Sequence, residues 1–188
     1  MNLEEMLLKH LGQIHGYNNF IDLFFILLAN YSSYIFAVIF FSVFSYQVVQ
    51  RIKYGKNFLW SSLLLLPTVL LVNYLLRLII ARERPFAAIE EFSALIYHYY
   101  GNSFPSNHAA ASFAIAGTLY LINPLAGKVS FILALLVSFS RIYVGVHYPT
   151  DVLAGGFLAV GLLGLTIKNK NNLENWLQHI ERRVLRIT

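Results

Sequence analysis

Cysteine is absent from this chain. That excludes a disulfide framework, thiolate metal sites and thiol nucleophiles, although it fixes no compartment. Charge is nearly as scarce. Charged residues make up 12% of the 188 positions, where an ordinary soluble domain carries roughly 25%. Apolar residues reach 57%, and the mean hydropathy is +0.60. The alternating apolar–polar runs that make strands are missing, which leaves helices as the means of crossing a bilayer. There is no basic leader either. The chain opens with Glu4 and Glu5, and its first long apolar run begins near Phe20, so a cleavable signal peptide is not expected. Internal repeats and low-complexity tracts are absent. A net charge of +5 does not point to nucleic acid, because the basic residues stand at the ends of apolar runs, where orientation signals sit. The composition therefore predicts one domain over residues 1–188, an all-α polytopic membrane helical bundle with the lipid bilayer as its solvent.

Within that bundle, Leu3, Met6, Leu7, Leu11 and Ile14 recur at helical spacing over residues 1–15, which predicts an interfacial N-terminal helix lying on the membrane. Phe20 to Ala29 is short against the ~20 residues a crossing needs, and is expected as a re-entrant piece, a tilted piece or a short extra span. Clearer spans are 31–50, 57–80, 104–123, 129–146 and 150–167, making five to six transmembrane helices. Arg51, Lys53 and Lys56 share one connector, Lys128 lies in another, and Lys168, Lys170, Arg182, Arg183 and Arg186 follow the last span. With five spans these all fall on one side, which the positive-inside rule makes cytoplasmic. Leu173, Trp176, Leu177, Ile180, Val184 and Ile187 form the apolar face of an expected amphipathic helix on the inner leaflet.

The charge that remains is concentrated in three short stretches, all on the expected outer face. They are Arg77-x6-Arg84-Pro85, Pro105-Ser106-Asn107-His108 and Ser140-Arg141-x5-His147-x3-Asp151. Ionisable residues at membrane depth are costly and mark functional sites. Arg77 and Arg84 are close to two helical turns apart, so they are expected on nearly one face, with guanidinium forks suited to phosphate oxygens. The plainer alternative is that they snorkel to headgroups, a role assigned more readily to Arg82 and Glu83. Ser106 and Asn107 stand before an apolar helix whose N-terminus favours an anion; the alternative is a simple helix cap. Pro149 suits a first helical turn, which puts Asp151 one turn from the ring of His147. A carboxylate on one ring nitrogen fixes the tautomer and makes the other a better nucleophile. The alternative there is an exposed His–Asp pair at a cap.

Taken together, the stretches supply each role in phosphoryl transfer through a covalent histidine. His147 attacks, His108 protonates the leaving oxygen, and the arginines neutralise the transferring group. Glu90 and Glu91 are adjacent and loop-borne, so no acidic cluster suits a divalent metal. No metal and no cofactor are expected. His10, His15 and His179 read as solvated. His98, in the outer loop beside Tyr97, Tyr99 and Tyr100, belongs with the aromatic belt or lines the substrate's way in. Pro67 is expected to kink its span, and Asn73 to bond between helices.

The three stretches resemble the signature of the type 2 phosphatidic acid phosphatase (PAP2) superfamily, K-x6-R-P, P-S-G-H and S-R-x5-H-x3-D. The run from Ser140 to Pro149 is similar to bacterial undecaprenyl-diphosphate phosphatases of the bacitracin-resistance type. The resemblance implies that His147 is the nucleophile, Asp151 its orienting partner and His108 the general acid. It also implies that Arg77, Arg84, Ser106, Asn107 and Arg141 bind phosphate. A hydrolase of polyprenyl diphosphates in the bacterial inner membrane, serving cell-wall synthesis, is the implied activity. Phosphatidylglycerophosphate, phosphatidate or lipid A phosphates are alternative substrates, and a membrane transporter is the alternative class. Two positions depart from the pattern: Arg77 replaces lysine and Asn107 replaces glycine.

Overall fold

A computed structural model of the chain describes residues 3–49, 64–90, 92–97 and 101–169, with five further positions in the C-terminal stretch. Seven helices lie among the described residues. They are α1 (Leu3–Ile14), α2 (Asn19–Val49), α3 (Leu65–Ile79), α4 (Pro85–Ala88), α5 (Asn107–Ile122), α6 (Pro124–Tyr143) and α7 (Pro149–Lys168). Three of them, α2, α6 and α7, are long and apolar enough to cross a membrane, while α3 is a shorter apolar helix. The chain is a multi-pass membrane protein.

Local chemistry sets the helix boundaries. Asn18 Oδ1 accepts from the N–H groups of Phe20 and Ile21 at 3.0 and 3.3 Å and opens α2. Ser106 caps α5 by accepting from the Ala109 N–H. One residue, Asn123, separates α5 from α6. Its side chain accepts from Leu125 and Ala126 at 3.0 and 3.1 Å, and Pro124 takes the first helical position, where no N–H is needed.

At the centre, α5 packs against α2, α3, α6 and α7. It buries Ala109, Ala110, Ala114, Ala116 and Gly117, small residues that let helix backbones approach where lipid offers no hydrophobic drive between helices. Of the larger side chains, Leu119, Ile122 and Phe36 are buried beside them, while many others face outward. Ile79, Leu125 and Phe157 are among the many exposed apolar groups, an outside that only a bilayer satisfies. Hydrogen bonds fix the directions. Arg77 at the end of α3 meets the loop before α5, Ser106 before α5 meets Asp151 in α7, and Asp22 in α2 meets Tyr143 at the end of α6. The N-termini of α2, α5 and α7 and the C-termini of α3 and α6 therefore share one end. Lys128 and Lys168 lie at the other.

Several expectations change. Phe20 to Ala29 is not a separate piece, because α2 runs unbroken from Asn19 to Val49 with no proline or glycine to stop it. The span expected at 129–146 is Pro124–Tyr143; Val144 to Tyr148 leave the helix around Gly145, whose φ is +80°. Residues 57–63, the outer-loop residues 98–100 and the C-terminal amphipathic face, apart from the exposed Trp176, lie outside the described residues. So do Arg51, Lys53, Lys56, Lys170, Arg182, Arg183 and Arg186. Pro67 falls in the first turn of α3 rather than mid-helix. Asn73 does bond between helices, donating to Asn107 Oδ1. Helix α1 turns Leu3, Met6 and Leu7 outward but buries Leu8 against Ile89, Phe92 and Tyr148.

Gly155 sets the approach of α5 to α7, since a Cβ there would lie 2.7 Å from the Ser106 carbonyl oxygen. The Gly155→Ala variant is expected to lose about 1–3 kcal/mol by overpacking, read as a lower thermal midpoint in detergent; an unchanged midpoint would show that the helices separate without cost.

Candidate active site

The polar end of the bundle is assembled around the loop between α3 and α5. Helix α3 stops at Ile79, and Ile80 is extended. Arg84 precedes Pro85 and takes an extended conformation, φ −77° and ψ 153°, as the residue before proline must. Arg77 and Arg84 are therefore not on one helical face, as their spacing predicts. The loop unites them instead. The Asn102 carbonyl accepts from Arg77 Nη2 at 2.9 Å and from Arg84 Nη2 at 3.5 Å, and the Asn102 side chain donates to the Arg77 carbonyl at 2.6 Å.

His147 sits in the turn between α6 and α7 and is 2% exposed. Arg84 Nη1 lies 3.3 Å from its Nε2 and donates to the Val146 carbonyl at 2.8 Å. An arginine can only donate, so Nε2 carries the lone pair and Nδ1 the proton. On that side Asp151 Oδ2 lies 3.5 Å away. Ser103 bridges the two: its Oγ is 3.3 Å from Nδ1 and donates to Asp151 Oδ2 in a short bond. The same oxygen accepts from the Tyr148 N–H at 2.8 Å, and the Asp151 carbonyl accepts from the Ser106 N–H at 3.0 Å. The pair one turn apart was legible in the spacing. Ser103 was not, because no rule of periodicity links it to a residue in another helix.

Arg141 is buried at the end of α6. Its Nη1 donates to the Ala29 carbonyl of α2 at 3.0 Å, while Nε and Nη2 have no partner, nor does Arg84 Nε. Burial pushes His147 down to about 4; the Asp151 bond opposes this, and the charges of Arg141 and Arg84 add to it. Burial, then the charge of Arg77, lowers Arg84 to about 10. The site thus holds a neutral imidazole among cations, with buried donors open to an anion.

His108, in the first turn of α5, is half-buried. It lines a cavity of about 840 Å³ together with Arg77, Asn102, Asn107, Phe36 and Leu70. The polar end of this cavity is formed by Arg77, Asn102, Asn107 and His108, and its apolar length runs between α2, α3 and α5. Asn107 is exposed here and is held by Asn73. Arg82 corrects an expectation. Far from snorkelling, it donates to Asp151 Oδ1 at 2.8 Å. His15 is another correction: its Nε2 donates to the Tyr143 carbonyl at 2.8 Å, whereas His10 and His179 are exposed.

Fold and site define a membrane helical bundle with a histidine–carboxylate pair beside three arginines. The PAP2 superfamily model matches residues 58–174, and the chain belongs to that family. It is 32% identical to undecaprenyl-diphosphatase BcrC of Bacillus subtilis, over 78% of this chain and 75% of that protein. It is 43% identical to a protein of Bacillus licheniformis named bacitracin transport permease protein BcrC, over 41% of this chain but only 38% of the relative. The crystal structure of Aquifex aeolicus LpxE superposes with a TM-score of 0.70 at 22% identity, covering 89% of this chain and 96% of that one. This likeness shows the fold.

The lowered His147 has a stability consequence. An unfolded histidine takes up its proton near pH 6.5, whereas the buried one resists until about 4. The unfolded state therefore binds more protons in that window, and stability falls as pH falls, approaching about 1.4 kcal/mol per pH unit. Melting in detergent should show this slope in the wild type and a shallower one in His147→Gln.

Proposed function

We propose that this protein is a lipid phosphatase that hydrolyses a polyprenyl diphosphate, undecaprenyl diphosphate by preference, through a phosphohistidine. The observation that carries the reading is the pair of buried guanidiniums, Arg84 and Arg141, whose unpartnered donors flank a histidine with its Nε2 lone pair turned towards Arg84. Buried donors left unmade are costly, and a phosphate would satisfy them with charge-assisted bonds. Arg77, Ser106 and Asn107 complete the phosphate-binding group in this reading.

His147 Nε2 attacks the terminal phosphorus, and the bond to the bridging oxygen breaks. His108 gives its proton to that oxygen, which leaves as the lipid monophosphate. Asp151 supports the charge that develops on the His147 ring. Water then attacks the phosphohistidine, His108 takes the water's proton, the N–P bond breaks, and inorganic phosphate leaves. The arginines hold the equatorial oxygens throughout, with no metal or cofactor involved. The 840 Å³ cavity, polar at one end and apolar along its length, suits a lipid whose tail stays in the bilayer. We read residues 1–188 as a single domain crossing the membrane five times through α2, α3, α5, α6 and α7. The position of Lys128 and Lys168 at the end away from the site favours an outer-face active site in the bacterial inner membrane.

Phosphate release by the purified protein in EDTA, across polyprenyl diphosphates, phosphatidylglycerophosphate, phosphatidate and lipid A phosphates, tests substrate and metal independence together. The diphosphates should lead. His147→Ala should abolish release without unfolding the protein, and substrate labelled in its terminal phosphate should trap a phosphoenzyme in the wild type alone. The permease name of the Bacillus licheniformis relative keeps a transport reading in view, and a transporter would yield no phosphoenzyme.

A further inference from the structure

Arg82 fills one of the variable positions of the first motif and Glu4 lies outside all three, yet a continuous chain of charge-assisted bonds joins them to Asp151. Arg82 Nη1 donates to Asp151 Oδ1 at 2.8 Å and to Thr150 Oγ1 at 2.7 Å. Its Nη2 donates to Glu4 Oε2 of α1 at 2.7 Å. The other Glu4 oxygen accepts from the Thr150 N–H at 2.8 Å, one of the donors that the first turn of α7 leaves open. The guanidinium also lies 3.7 Å over the Tyr148 ring. Leu8, one turn further along α1, is buried against Tyr148, Ile89 and Phe92. Helix α1 is thus seated on the site by charge at one turn and by apolar contact at the next.

The two oxygens of Asp151 have different work. Oδ2 serves His147, Ser103 and the Tyr148 N–H, while Oδ1 is held by Arg82. A carboxylate fastened at both oxygens cannot turn about its Cβ–Cγ bond, so the plane it offers to His147 is set. A lone cation at Oδ1 would weaken the support Asp151 gives to positive charge on the imidazole. Glu4 offsets that charge while leaving the fork in place.

We propose that Arg82 is a positioning residue for the reaction and that α1, through Glu4, is part of the active-site scaffold. Together they orient the Asp151 carboxylate that aligns His147, without adding net charge. This rests on the phosphatase reading above.

The test is steady-state phosphate release from a polyprenyl diphosphate by the full-length protein in detergent, with thermal midpoints measured alongside. Arg82→Gln should lower kcat roughly 10- to 100-fold, as loss of an outer partner of an active-site group does, with KM nearly unchanged. Arg82→Lys keeps the charge but not the fork, and should recover only part of the loss. Glu4→Gln should lower kcat by a smaller factor at an unchanged midpoint, and the double variant should be no worse than Arg82→Gln alone. A kcat for Arg82→Gln within about twofold of wild type, or a loss confined to KM, overturns the proposal. Additive losses in the double variant overturn the chain from Glu4. If Arg82→Gln does not fold, Glu4→Gln decides, and an undiminished kcat there overturns the proposal. An inactive wild type would instead overturn the functional reading, and this inference with it.

Discussion

The buried carboxylate of Asp151 is the constraint on which the polar end of the bundle depends. A fully buried anion is tolerated only when its lone pairs are filled. Here Tyr148, Ser103 and Arg82 fill them, and each comes from a different stretch. Tyr148 begins α7, Ser103 leads into α5, and Arg82 follows α3. The main chain of the same residue accepts from Ser106. Satisfying one charge therefore pulls three helix ends together, and Gly155, one turn on, lets α5 come close enough for the bond to form.

Around that anion the site holds its cations by backbone carbonyls. Arg77 and Arg84 share Asn102, Arg84 also has Val146, and Arg141 has Ala29. Carbonyl partners hold the guanidiniums in place without neutralising them. Their charge is left uncompensated, and donors stay open on Arg84 and Arg141, which is what the proposed phosphate site draws on. Burial, together with these charges, keeps His147 neutral. The proposed reaction needs that neutral form, since an attacking nitrogen must keep its lone pair.

The N-terminal segment is bonded into the bundle. Tyr143 donates to Asp22 at 2.6 Å, and the same carboxylate accepts from the Gly16 N–H at 2.7 Å, while His15 donates to the Tyr143 carbonyl. These bonds fasten the turn between α1 and α2 to the end of α6, next to Arg141. The segment whose periodicity reads as interfacial thus braces the end of α6 that carries Arg141.

Read alone, the sequence determined what short-range chemistry controls. Scarce charge and long apolar runs decided the helical membrane class, Pro149 marked a helix start, and the four-residue step from His147 to Asp151 placed that pair one turn apart. The tertiary structure decided everything that depends on partners far along the chain. Ser103 lies 48 residues from Asp151, Arg82 lies 69 from it, and Glu4 lies 78 from Arg82. Such contacts leave no period in the sequence. The same limit explains why spacing alone puts Arg77 and Arg84 on one helix face, whereas the extended backbone at Ile80 and before Pro85 separates them by a break and Asn102 brings them back together. Spacing speaks for residues that share a helix. Only packing decides which helix ends must meet, because what drives the meeting is a buried charge that needs partners.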